Sequence, residues 1–376
     1  MDSMPKVCVV TFFKHNYGAF LQAYALQRVL LDLGCDAEVL DYDYARDRTF
    51  LGIPCARMKN PLVFLKMVAY RLMRGRVQKQ IDLVFQECAG RLIRQTRYYR
   101  TYKEVKASPP EADVYLVGSD QVWNPELAFQ GVLSRLLDFV PSDTKVLASF
   151  AASMGKTVLS PKEKELFKAN LKRFDGVSVR ESSSVAALSG LTDKPMEIHK
   201  DPALLLSSAE WDSFAQDIHS PHPYLFLYLV QNDSSLVAGA KQLAQENGWG
   251  IVACQASANY SIRDSLNGNA IFSPPEFVGG IRGAEYVVTN SFHCLVFTIH
   301  YGKRAFVKFP PRGADRLREL VDAMGLQRLT EDRLVQPDEL PAIYARVRPC
   351  LEAERLRAHD YLRRLLDIAR QKKDLG

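Results

Sequence analysis

GAEYVVTNSFHCLVFTIHYGKRAFVKF, residues 283–309, is the stretch whose pattern decides the fold. Val287-Val288-Thr289 is a β-branched run with the character of a short buried strand. Asn290 and Ser291 both suit a helix N-cap. An apolar helical pattern continues to Gly302, a residue suited to close a helix. Ala305-Phe306-Val307 then reads as a second strand. His293 therefore falls in the first turn of a helix that begins where a strand ends. In an open parallel sheet ligands bind at that edge. The free N–H groups and the positive end of the helix dipole favour an anion there. Asn290, Ser291 and His293 are candidate contacts, and an imidazole can also carry a proton. His300 lies seven residues further on the same face, about 10 Å along the axis, and is expected to be structural.

Working outward, a chain of 376 residues with 47% hydrophobic content is long enough for two domains. Alternating strand-like and helical patterns favour α/β architecture. A net charge of +6 suits anionic small molecules or a membrane surface and falls short of a nucleic-acid footprint. The seven cysteines are scattered, odd in number and never in a CxxC arrangement, so buried reduced thiols are expected. The start MDSMPKVCVVTFF lacks a signal peptide's succession of segments. No apolar run reaches the roughly 18 residues of a membrane span. The expectation is a cytoplasmic protein, compatible with peripheral contact with the inner face of the cell membrane.

From the N-terminus, residues 6–12 read as the first strand, HNYGAF as a loop, LQAYALQRVLLDLG as a helix and AEVLDY as the second strand. The loop has one glycine and not the three of a dinucleotide fingerprint. Asn16, Tyr17 and Gly18 stand at the carboxyl edge of the first strand as binding candidates. Residues 57–106 form a basic helical insertion, with Lys66, Arg71, Arg74 and Arg76 around an apolar stripe. That pattern fits either a surface for anionic lipid or an ordinary solvated face. In ADVYLVGSDQVWNP, residues 112–125, the strand Val114–Val117 turns sharply, so Ser119, Asp120 and Gln121 face the ligand edge. A carboxylate at position 120 suits a general base or a bond to sugar hydroxyls. The strand GVSVR ends on Arg180 and Glu181, where an arginine can clamp a carboxylate or phosphate. Lys200-Asp201-Pro202 reads as a turn out of the first domain. Beyond the opening stretch, Lys308, Arg312 and Arg316 suit a phosphate pocket. Asp338–Ala369 is helical apart from Pro349.

NYGAFLQAYALQRVLLDLG, VGSDQVWNP, VSVRESSSVAAL, KDPALLL and YVVTNSFHCLVFTIHYGKRAF occur in the order found in the polysaccharide pyruvyl transferase family, and RGADRLRELVDAMGL resembles its C-terminal arginine motif. The resemblance covers about residues 6–330. It implies an α/β, GT-B-like fold of two Rossmann-like domains facing across a cleft, with closure assembling the site. The divisions are then 1–206 on the acceptor side, 207–340 with the SFH helix, and basic helices at 341–376 packing back on the first domain. It also implies transfer of pyruvate from phosphoenolpyruvate to two hydroxyls of a sugar, as a cyclic ketal, in surface-polysaccharide biosynthesis. Phosphoenolpyruvate is the donor substrate, the acceptor is a nucleotide- or lipid-linked sugar, and no metal or other cofactor is expected. At the matching positions His293 and Arg180 become the donor-binding and catalytic pair. Two departures stand out. Cys294 occupies a usual glycine position, where it would narrow the helix's approach to a ligand, and Arg304-Ala305 replaces a common Lys-Pro.

The residues suit this chemistry by themselves. A donor with adjoining carboxylate and phosphate needs two cationic or N–H-rich subsites. Arg180 supplies one, and the helix start at Ser291–His293 with Lys308, Arg312 or Arg316 supplies the other. Asp120 or Glu181 would accept the hydroxyl proton. Two rival functions share these features: a GT-B glycosyltransferase using a nucleotide-sugar donor, and a non-catalytic glycan- or anion-binding relative.

Overall fold

The computed structural model describes residues 4–14, 16–43, 49–50, 53–54, 61–125, 129–141, 144–155, 158–254, 271–311, 313–331 and 334–374. Its first strands are β1 (Lys6–Val10), β2 (Asp36–Val39), a two-residue pair β3 (Thr49–Phe50) and β4 (Ile53–Pro54), β5 (Val114–Val117), β6 (Val146–Ser149), β7 (Val177–Val179) and β8 (Met196–Ile198). They form a parallel sheet of order β2-β1-β5-β6. The parallel pair β7-β8 continues that layer through single bridges, Ala148 to Gly176 and Ala152 to Val179. A second parallel sheet has the order β10-β9-β11-β12, from β9 (Tyr224–Tyr228), β10 (Gly250–Ala253), β11 (Tyr286–Thr289) and β12 (Ala305–Val307). β5, β6, β9 and β11 are buried along their whole length. Continuous burial is what parallel strands covered on both faces require. The result is the α/β architecture that the alternating pattern favours, arranged as the GT-B-like pair of Rossmann-like units that the family resemblance implies.

Helices of the first unit are α1 (Tyr17–Asp32), α2 (Pro61–Leu92), α3 (Tyr102–Ala107), α4 (Phe129–Arg135), α5 (Pro161–Leu171) and α6 (Ser182–Leu188). Next come α7 (Ser208–Phe214), α8 (Ser234–Asn247), α9 (Pro274–Gly283), α10 (Phe292–His300), α11 (Asp315–Met324), α12 (Leu340–Tyr344) and α13 (Val347–Asp374). Capping side chains start several of them: Ser160, Ser207 and Ser273 each form a reciprocal capping box with a glutamate three residues on.

Two local expectations change. The segment HNYGAF is not all loop, because Asn16 accepts a hydrogen bond from the Ala19 amide at 2.7 Å and starts α1 at Tyr17. Nor does Pro349 interrupt the C-terminal helix. It sits in the first turn of α13, where an amide hydrogen has no intrahelical partner to lose.

α1 belongs to both units. Tyr17 stacks on Phe277 of α9 with ring centroids 4.4 Å apart, and its hydroxyl donates to the Phe272 carbonyl at 2.7 Å. α13 crosses in the other direction. Its Tyr361 hydroxyl donates to the Ser149 carbonyl of β6 at 2.8 Å, and Lys372 pairs with Asp175 at 2.9 Å. The basic insertion contains α2, but residues 57–60 and the side chains up to residue 74, with Lys66, Arg71 and Arg74, lie outside the described residues. Of the following arginines, Arg94 pairs with Asp36 at 2.7 Å and Arg97 lies over the Tyr99 ring. Among the described residues no helix is long and apolar enough to cross a membrane.

Candidate active site

Three chain crossings meet where the first sheet's strands end. After β5, Gly118 passes so close to Thr11 that a Cβ there would lie 2.9 Å from the threonine Cβ. The Thr11 hydroxyl donates to the Ser119 carbonyl at 2.8 Å and fixes the turn. Asp120 follows at φ 74, a left-handed conformation that aspartate tolerates better than most residues. Its carbonyl holds that geometry by accepting from the amides of Val122 and Ser153 at 2.7 and 3.0 Å. After β7 comes Arg180, and after β8 comes Asp201.

These side chains converge with α10 of the second unit. Arg180 donates through Nη1 to Asp201 Oδ2 at 2.7 Å and to the Ser119 hydroxyl at 3.3 Å. The Ser119 hydroxyl donates to the same Asp201 oxygen at 3.2 Å. His293 places its Nε2 3.4 Å from that oxygen, facing it without completing a hydrogen bond. Arg180 Nη2 is also buried without a partner. On the outer side Arg316 stands 3.8 Å from Asp120, and both Arg180 and Arg316 lie over the Phe292 ring, at 5.4 and 5.9 Å. Between Arg180, Asp201, Phe292 and Arg316 the enclosed space is only about 10 Å³, room for about one water. The two units are thus already in contact around a nearly closed cationic cluster, neutralised by its own acids.

The electrostatics follow from burial against partners. Burial alone would push the Asp201 carboxyl up, but His293 and then Arg180 outweigh it and hold it well below the ordinary range. Burial alone would likewise weaken the Arg180 charge, and Asp201, Glu181 and Asp120 overcome that and raise its pKa. Arg316 goes the other way: burial, then repulsion from Arg180, lowers it. A depressed carboxylate stabilises the fold fully above its unfolded pKa of about 4, and that stability is lost as pH falls below it. In urea unfolding, the stability gap between wild type and Asp201→Asn therefore narrows as pH drops from about 5 to about 3. A gap that stays constant would show that Asp201 is not held by these cations.

Not every expected contact gathers here. Arg180, Ser119, Asp120, His293 and Arg316 come together, and Glu181 sits beside them 3.5 Å from Arg180 Nε. Glu181 is sealed under hydroxyls, however, accepting from Ser153 at 2.7 Å and from Ser184. Gln121 accepts from Asn124 at 2.9 Å at the rim. Ser291 is the N-cap of α10, accepting from the Cys294 amide at 3.4 Å. Asn290 instead ties β11 to the end of β9, accepting from the Val230 amide at 2.8 Å and donating to the Gln231 carbonyl at 2.7 Å. Tyr17 points into the core and Asn16 caps α1. Gly18 packs against the His293 ring, where any Cβ would lie 2.1 Å from Nδ1. Lys308 stands apart, paired with Asp233 at 2.7 Å and the Ser235 hydroxyl at 2.8 Å at the start of α8. Arg312 lies outside the described residues.

Cys294 is wholly buried, and burial pushes its thiol up to about 12, so it packs in the core. His300 is buried against the Ala203 carbonyl at 2.8 Å, with burial lowering its pKa to about 4, as a structural histidine should be. Asp201 is the participant the sequence left as a turn. Its position three residues after the end of β8 is the available signal, and Pro202 next to it favours a turn.

Two Rossmann-like units joined over a buried arginine–histidine–carboxylate cluster define a GT-B-like protein. Residues 16–307 match the family described as Polysaccharide pyruvyl transferase, and the chain belongs to that family. Family membership brings with it a transferase activity toward a sugar or polysaccharide acceptor. Among solved structures, the chain is similar to UGT73P12 from Glycyrrhiza uralensis, at 9% identity and a TM-score of 0.49 over 99% of this chain and 96% of that one. It is also similar to the glycosyltransferase SnogD from Streptomyces nogalater, at 11% identity and a TM-score of 0.44 over 96% and 99%. Comparison with curated proteins gives no match.

Proposed function

We propose that the chain moves pyruvate from phosphoenolpyruvate to two hydroxyls of a nucleotide- or lipid-linked sugar, forming a cyclic ketal during surface-polysaccharide assembly in the cytoplasm. One observation carries this reading in a chain of this family: Arg180 Nη2 and His293 Nε2, both buried without a hydrogen-bond partner, converge beside Arg316 at the junction of the units. Two guanidiniums suit a donor bearing a carboxylate and a phosphate. No metal or organic cofactor enters the reaction as proposed, since arginines and the α10 N-terminus supply the positive charge.

The steps balance as follows. His293 gives a proton to the methylene carbon of the donor, leaving a cationic centre at the adjoining carbon. A sugar hydroxyl adds to that carbon and loses its proton to Asp120, the carboxylate at the open rim. The C–O bond to phosphate breaks, and phosphate leaves as the monohydrogen ion with the proton from Asp120. The second hydroxyl closes the ring and returns a proton to His293. Because the cavity is nearly filled, the donor must displace Asp201 or Asp120 from the arginines to enter.

The test is phosphate release from phosphoenolpyruvate with a panel of nucleotide- and lipid-linked sugars. Release is expected only when an acceptor is present, with a pyruvate ketal visible by mass spectrometry. Release with no acceptor, or hydrolysis of a sugar nucleotide in place of phosphoenolpyruvate, would overturn the assignment.

A further inference from the structure

Asp201 owes its place to residues outside the site. Its Oδ2 meets Arg180, Ser119 and His293 at 2.7, 3.2 and 3.4 Å, and its Oδ1 accepts from the Ala203 amide at 3.0 Å. A four-way junction of this kind tolerates little movement of the backbone beneath it. That backbone is gripped by α13. Glu354, only 6% exposed, accepts from the Lys200 amide at 2.7 Å through Oε1, which also lies 3.2 Å from His199 Nδ1. The adjacent Arg355 donates to the carbonyls of Leu205 and Leu206, both at 2.7 Å, on the far side of Asp201. Near its start the same helix touches α11, which carries Arg316: Cys350 Sγ lies 3.7 Å from the Ala323 carbonyl. A buried carboxylate is costly unless its acceptor capacity is used, and here it is used on the Lys200 amide, one residue before Asp201.

We propose that Glu354 is a positioning residue, holding the Asp201 carboxylate against Arg180 and His293 through the Lys200 peptide. Its kinetic consequence rests on the proposed function, whereas its structural consequence does not. Glu354→Met fills similar space without an acceptor, and Glu354→Gln keeps an oxygen for the Lys200 amide. Acceptor-dependent phosphate release is expected to fall about 10–100-fold in Glu354→Met and to recover in Glu354→Gln. In an Asp201→Asn background the Glu354→Met loss should vanish, since the group it acts through is already altered. Fully additive losses would overturn the proposal.

A second readout needs no turnover. In protein with labelled imidazoles, the His293 ring signals, identified by their disappearance in His293→Asn, should move in Glu354→Met and in Asp201→Asn and stay in place in Glu354→Gln. Unmoved signals in Glu354→Met would overturn the positioning role. Moved signals in a protein that never consumes phosphoenolpyruvate support that role and overturn the proposed function alone. If Glu354→Met does not fold, Glu354→Asp, whose carboxylate falls one methylene short of Lys200, is read by the same two measurements.

Discussion

Arg180→Met should lower acceptor-dependent phosphate release by about 10³-fold or more, the scale seen when a preorganised charge-stabilising donor is removed. The same change should unfold the protein more easily. Arg180 and Asp201 are 3% and 0% exposed at the side chain, so deleting the cation leaves the buried carboxylates Asp201 and Glu181 with much less opposing charge. Breaking a buried pair from one side costs about 3–5 kcal/mol. The two losses separate in the double variant Arg180→Met/Asp201→Asn. Removing the stranded charge should return much of the stability, measured in urea, while turnover stays absent. Turnover in the single variant within about 10-fold of wild type would remove Arg180 from the donor site.

Gly18→Ala should lower turnover by about 10²-fold, and any loss of stability that accompanies it should disappear once the His293 ring is removed. The added Cβ would lie 2.1 Å from His293 Nδ1 and 2.4 Å from Cε1, so the ring has to move. The obstacle is a buried side-chain ring, its Cγ at 2.9 Å included, so the ring must shift as a whole while the backbone around it is not in the way. Alanine also restricts the unfolded chain by about 0.4–1 kcal/mol relative to glycine, which offsets part of the crowding. A displacement near 1 Å at a reacting group is enough for a loss of this size. In a His293→Ala background the glycine change should have no further effect on turnover and should raise the melting temperature. Wild-type turnover in Gly18→Ala would show that the ring's position does not matter, and His293 would lose its role.

The strand–helix alternation and the SFH stretch were legible because parallel strands are apolar throughout and α10 begins with a serine cap. Arg180 and His293 were legible for a related reason: Arg180 follows directly on β7 and His293 lies in the first turn of the helix after β11, and each parallel sheet gathers ligand contacts at the carboxyl edge of its strands. The pairing of Asp201 with both was not, because it depends on three strand ends and a helix of the other unit meeting within one hydrogen-bond radius. Local pattern carries no such distance. Lys308 failed in the opposite sense: it also follows a strand, but Asp233 at the start of α8 draws it away. Tyr17 reads as a ligand contact in the sequence, but α1 starts about one turn earlier than the pattern implies and the ring packs inward on Phe277.

α1 makes this chain an awkward partner for exchange of halves. The helix begins in the first unit yet stacks Tyr17 on Phe277 and seats Gly18 under His293 of the second. A chimera joining the first half of this protein to the second half of a relative would therefore rebuild the seat of His293 from mismatched parts. Crossovers intended to alter the accepted sugar should keep α1, α9 and the start of α10 from one parent, even though they lie far apart in the gene.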